Sequence, residues 1–258
     1  MYAIRIAGRK HLSTKERDRA CEFLGCVDGH GGNYLNLAYS LTHERPPPAS
    51  LWAEFGVFMG NSVNISSQIR QKLDGGTVHG FDTFTGLPET WGHVKQGTFS
   101  LGGALPPVNP NVVLHKGLFS ETLPPFLASW TGEKRVGYVN VDMDLYAGAM
   151  DVLNHLGPWM ANGTLLHFHE LVHASEDGRG GGKHKGLPMD EAKALLDWLT
   201  QNGAARSHVG AGSSGKSHVP ARRLRALQLE LIPRHRGVRD ESVVFRVLLG
   251  NTHRKISG

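Results

Sequence analysis

From residue 51 onward the chain alternates short apolar runs with segments of helical spacing, and this rhythm restricts the available folds more than any other feature. LWAEFGVF (51–58) is an apolar run that reaches glycine. NSVNISSQIRQKL (61–73) places Val63, Ile65, Ile69 and Leu73 at helical intervals behind a small polar start. TVHGFDTF (77–84) and NVVLHKG (111–117) read as the next two strands, separated by a glycine- and proline-rich loop. A helix at 120–130, a strand at 135–144, a helix at 147–156, a fifth strand at 163–168 and an amphipathic helix at 189–201 continue the series. RVGYVNVDMD (135–144) is apolar on both alternating sets apart from Asn140, as a strand buried on both faces requires. LRALQLELI (224–232) and ESVVFRVLL (241–249) are strands joined by a short basic turn, which makes them an antiparallel hairpin. The predicted fold is α/β: a Rossmann-like, doubly wound, mostly parallel sheet of seven strands with a C-terminal antiparallel hairpin.

Upstream of this rhythm, residues 1–50 carry little strand pattern. Residues 15–24 and 34–41 have helical character, and Pro46-Pro47-Pro48 stops the chain before the main domain. The expected organisation is a helical extension or lid at 1–50 and one domain at 51–258, a length suited to a single α/β unit. With 40% hydrophobic and 20% charged residues, a normal core can form. The net charge of +5 is spread along the chain, and its densest groups, near the C-terminus, fit strand ends and turns better than a nucleic-acid surface. Cys21 and Cys26 match no zinc or redox spacing. No apolar run has the length of a signal peptide or a membrane span, so a soluble, cytoplasmic protein with no membrane partner is expected.

Three motifs compete for the chemistry. His169-Glu170-x-x-His173 has the spacing of a helical zinc site with a glutamate base, and Glu191 lies where a third ligand could follow. The rhythm, however, asks for a strand at 163–168 and not for a helix. Gly210-x-x-x-x-Gly215-Lys216-Ser217 matches a phosphate loop, but Pro220 and a strand follow where that loop needs a helix. The third motif is the turn from Glu54 to Ser62, with Gly56 and Gly60, between the first strand and the first helix. Glycine there lets backbone approach a ligand closely, and the helix start offers unpaired N–H groups. Asp82 ends the next strand, where a carboxylate can reach ribose hydroxyls, and Asp142 ends the fourth. All three would lie on the carboxyl edge of one sheet.

These residues resemble a known family. Glu54-Phe55-Gly56-Val57-x-x-Gly60-x-Ser62 is similar to the first S-adenosylmethionine motif of class I methyltransferases. Phe81-Asp82-Thr83-Phe84-Thr85-Gly86-Leu87-Pro88-Glu89 resembles the second-strand motif of the macrocin O-methyltransferase family, which methylates sugar hydroxyls on macrolides. Gly117 to Pro124, Val141-Asp142-x-Asp144-Leu145-Tyr146 and Glu191 to Leu195 are similar to the same family, in the same order, over about residues 51–200. The resemblance implies an S-adenosylmethionine-dependent O-methyltransferase acting on a small hydroxylated acceptor. Glu54, Gly56, Gly60 and Ser62 would surround the methionine part of the cofactor, Asp82 would bind the ribose, and Phe119 would lie near the adenine. Asp142 matches a magnesium ligand, and the family's adjacent acidic pair falls at His169 and Glu170.

One ligand therefore departs from the family pattern, because histidine stands where an aspartate is expected. Magnesium prefers oxygen ligands, so the site either lacks magnesium or takes a divalent metal that tolerates nitrogen. Without a metal, His169 is the expected base, with Asp142 and Glu170 completing the polar floor. A zinc hydrolase built on His169, Glu170 and His173, and a methyltransferase fold that binds without turnover, are the alternative readings. Association with further copies of the chain is left open.

Overall fold

The computed structural model describes residues 3–6, 13–24, 34, 37, 40–41, 45–46, 49–169, 171, 189–204, 227–232 and 243–249. Its strands are β1 (Ala3–Ile6), β2 (Leu51–Phe55), β3 (Val78–Asp82), β4 (Val112–Lys116), β5 (Val136–Val141), β6 (Met160–Phe168), β7 (Leu227–Leu231) and β8 (Val243–Leu249). The helices are α1 (Thr14–Leu24), α2 (Asn61–Leu73), α3 (Phe119–Ser129), α4 (Tyr146–Leu156) and α5 (Asp190–Ala204). All strands join one sheet in the order β1-β7-β8-β6-β5-β2-β3-β4. β8 runs antiparallel between β6 and β7, as the hairpin reading requires, and the other pairings are parallel.

The seven strands expected from residue 51 onward are all present, and an eighth is added. AIRI at the N-terminus pairs with β7, Ala3 opposite Gln228 and Ile6 opposite Leu231. The segment before residue 50 is thus not purely helical. Four residues are too short to announce a strand by alternation; the open edge of β7 recruits them, and tertiary pairing overrides a weak local preference.

The period-two alternation of the central strands sorts their side chains into two layers. Leu51, Ala53 and Phe55 of β2, Val139 and Val141 of β5, and Leu166 and Phe168 of β6 pack with Ala149 and Leu153 of α4 and Trp198 of α5. Trp52, Tyr138 and Leu165 face the other way, toward Val63 and Ile69 of α2 and toward Ala20, Tyr34, Leu37 and Leu41 of the N-terminal segment. Every residue of β2 and of β5 is buried. This second layer is not wholly apolar. Register places Glu54 beside Asn140 and Asn140 beside His167, and all three are fully buried. A polar rung thus crosses three central strands just below their carboxyl ends.

Candidate active site

From β2 the chain moves outward through β3 and β4, then returns to β5 on the other side of β2. Such a reversal leaves a crevice beyond the carboxyl ends of the strands. Here it is a cavity of about 610 Å³, lined by the loop Gly56 to Met59, Ser62, Asp82, Phe119 and Asp142, among others.

The loop between β2 and α2 is shaped for close approach. Gly56 has φ 89 and Gly60 φ 85, the left-handed region. A Cβ on Gly56 would overlap the carbonyl oxygen of Asp142, so β2 and β5 can end side by side only with glycine there. Asp82 braces this loop. Its Oδ2 accepts from the N–H groups of Val57 (2.8 Å) and Phe58 (2.9 Å), and its Oδ1 accepts from Phe84 (2.7 Å). A carboxylate has about four lone-pair sites, so Asp82 keeps capacity toward the cavity it lines. Phe119, at the start of α3, packs edge-on to Phe55 with ring centroids 5.3 Å apart and forms part of the opposite wall.

Glu54 sits lower than the sequence reading places it. It is fully buried beneath the cavity. Its Oε1 accepts from the Ser62 hydroxyl and its Oε2 from Asn140 Nδ2 (2.9 Å). With only neutral partners, burial pushes its carboxyl up to about 8. Ser62 itself reaches the cavity, so it links that surface to the polar rung.

At the other end, Asp142 and Asp144 both line the cavity. Asp144 does not cap α4 as its position suggests: Leu145 is the N-cap residue, and the helix start has no side-chain cap. Asp144 instead has φ 68, and burial, reinforced by Asp142, raises its carboxyl to about 8. The turn is held from below by Glu191 at the start of α5, whose Oε1 accepts from the N–H groups of Met143 (3.0 Å) and Asp144 (3.3 Å). A carboxylate turned onto these amides is a brace for the loop after β5, not the third zinc ligand.

His169 follows β6 directly. Its N–H donates to the Val141 carbonyl (3.0 Å), so the chain is still paired with β5 at His169. Glu170 and His173 lie outside the described residues, as does the Gly210 to Ser217 stretch. The His169 ring bridges two groups: Nε2 is 2.9 Å from Asn140 Oδ1, and Nδ1 is 3.7 Å from Asp142 Oδ2. Because Asn140 spends its NH₂ on Glu54, its oxygen faces His169, and Nε2 must be the donor. Nδ1 is left facing Asp142. Asp142 and His169 are the two expected metal ligands seen together; among the described residues no three His, Cys, Asp or Glu side chains form a metal-sized group.

Sequence reasoning did not single out Asn140 or Tyr34. Asn140 was visible as the one polar interruption of a doubly buried strand. Trp91, in the loop after Asp82, is buried with Leu87 and Leu145, two residues of the cavity wall. Among the described residues no helix is long and apolar enough to cross a membrane.

Residues 53–171 match the model of a family described as a methyltransferase domain. No curated protein matches the chain. Among solved structures, the chain is similar to the calicheamicin methyltransferase CalS11, at 18% identity over 92% of this chain and 95% of that one, with a TM-score of 0.46. The O-methyltransferase NovP aligns at 16% identity over 88% and 78% of the two chains, with a TM-score of 0.47. An O-methyltransferase from Bacillus cereus in complex with SAH aligns at 12% identity over 92% of each, with a TM-score of 0.45. The domain match begins within β2 and ends at Leu171, so it contains the glycine loop, Asp82, Asp142 and His169, and over these residues the chain carries a methyltransferase domain.

Proposed function

We propose that the chain methylates a hydroxyl of a small molecule, a sugar or another natural product, in the manner of the macrocin O-methyltransferase-like proteins it resembles. The observation that carries this reading is the placement of the His169 ring, with Nε2 on Asn140 Oδ1 and Nδ1 facing Asp142, which lines the cofactor-sized cavity.

The cofactor supplies a methyl group already activated on a sulfonium. What the chain must add is orientation and removal of a proton. In this reading Gly56, Gly60 and Ser62 surround the methionine end, Asp82 holds the ribose and Phe119 covers the adenine. Glu54 acts from beneath, through Ser62. An acceptor hydroxyl placed beside His169 would give its proton to Nδ1 as it accepts the methyl group. The imidazolium formed is then stabilised by the Asp142 carboxylate, while Asn140 keeps the ring from rotating. A divalent metal held by Asp142 and His169, together with Glu170, would lower the hydroxyl pKa by a different route.

Calorimetric titration with S-adenosylmethionine and S-adenosylhomocysteine, followed by labelled-methyl transfer to a panel of glycosylated and phenolic acceptors, tests the reading. Binding with transfer to oxygen is expected. Absence of binding by either nucleoside refutes it, and binding without transfer to any hydroxyl supports a fold that binds without turnover.

A further inference from the structure

Tyr34 lies upstream of the matched methyltransferase domain, yet it is 3% exposed and packed against the polar rung. Its ring meets His167 edge-on at 5.5 Å between centroids and lies 6.4 Å from that of His169. Its hydroxyl is buried and has no hydrogen-bond partner among the described residues. Burial, followed by Glu54, Tyr138 and Asp142, holds the phenol in its protonated form, and Ser62 is close enough to pull the other way. The hydroxyl makes no hydrogen bond of good geometry, although the Ser62 hydroxyl lies near it, and Ser62 and Asp142 both line the cavity. Buried donors are seldom left unmet, and the cavity beside Ser62 and Asp142 is where a partner for this one can enter.

Resting on the proposed cofactor, we infer that Tyr34 is a cofactor-binding residue whose hydroxyl donates to the carboxylate of the methionine moiety. An α-amino acid headgroup needs an anion for its ammonium and donors for its carboxylate. Asp142 supplies the first. Asn61 and Ser62, which open the 13-residue helix α2, line the cavity and bring unpaired backbone N–H groups to the same end. Tyr34 adds a side-chain O–H that makes no hydrogen bond of good geometry among the described residues. The N-terminal segment, through this residue, then closes the methionine end of the site.

The test compares two ligands on the full chain: S-adenosylhomocysteine, which has the headgroup, and 5′-methylthioadenosine, which lacks it. Calorimetry on Tyr34→Phe, which keeps the ring and its packing, should show about a tenfold loss of affinity for S-adenosylhomocysteine, equal to ~1.4 kcal/mol. Affinity for 5′-methylthioadenosine should change less than about twofold, since no headgroup contact is lost. Equal losses for both ligands overturn the inference in favour of a packing role. No loss for either overturns it in favour of a hydroxyl satisfied by buried water. If the unmodified chain binds neither ligand, the cofactor reading itself has failed and this inference with it.

Discussion

Replacing Glu54 by Gln should stabilise the protein at neutral pH and change how its stability depends on pH. Glu54 is fully buried, with the Ser62 hydroxyl and the Asn140 amide as partners and no cation beside it. Its carboxyl is raised from 4.5 to about 8, chiefly by burial. The folded chain therefore keeps this proton up to about pH 8, while the unfolded chain releases it above 4.5. Stability is fully present below 4.5 and falls as pH rises through 8, by about 1.4 kcal/mol per pH unit. The cumulative loss is about 3 kcal/mol at pH 7 and about 5 kcal/mol beyond pH 8. Gln has the shape and hydrogen-bonding pattern of the protonated acid: its oxygen can accept from Asn140, and its NH₂ can donate to Ser62, whose hydroxyl turns. Urea unfolding of both proteins at pH 5, 6, 7 and 8 gives the difference in stability, in which groups not coupled to Glu54 cancel. The difference should be small at pH 5 and grow with each unit. A difference that stays constant from pH 5 to 8 refutes the reasoning, for it means that Glu54 is ionised in the fold.

Three further outcomes follow from the site. Gly56→Ala combines φ 89 with a Cβ that overlaps the Asp142 carbonyl, so calorimetry should show binding of S-adenosylhomocysteine weakened at least about tenfold and calorimetric melting should show a lowered Tm. Glu191→Ala removes the acceptor of two backbone N–H groups after β5; urea unfolding should show a loss of about 2–4 kcal/mol, with Glu191→Gln intermediate. His169→Asn should bind S-adenosylhomocysteine within about twofold of the unmodified chain while methyl transfer to an accepted hydroxyl falls by roughly 10²–10⁴, as loss of a general base does. A mutant that retains full transfer removes His169 from the proton path.

Much of the architecture was written in local patterns. The switch between period two and helical spacing located each strand of the main domain, and the short turn between the last two strands fixed their antiparallel pairing. Asp82, Asp142 and the glycine loop were legible because strand ends and positive-φ turns impose residue types that periodicity does not explain. What escaped was set by neighbours far along the chain. β1 exists because β7 presents an edge to it. Asp144 stands just before α4, where a carboxylate can cap a helix, but the turn it occupies is held by Glu191 from α5 and the helix start has no side-chain cap. Glu54 looked like a residue at the ligand; only its register against Asn140 shows that it points into the layer below.

The same register explains why histidine at 169 changes more than one ligand. A strand's side chains alternate, so residues 165, 167 and 169 share a face, and β6 pairs His167 with Asn140. His169 therefore emerges one step above the polar rung, within reach of Asn140 Oδ1. Asn140 can offer that oxygen because Glu54 accepts from its NH₂, and Glu54 can accept there whether or not it is protonated, since its second oxygen serves Ser62. An aspartate at 169 would put a carboxylate against the Asn140 carbonyl oxygen, two acceptors with no proton between them, unless a cation or a flipped amide intervened. Histidine removes that conflict and leaves a basic nitrogen facing Asp142. The polar rung and the histidine are thus one device, so Asn140→Asp should disturb the proton path as His169→Asn does, although residue 140 lies in the layer below the cavity. That effect should appear in the rate and pH profile of transfer rather than in binding of S-adenosylhomocysteine.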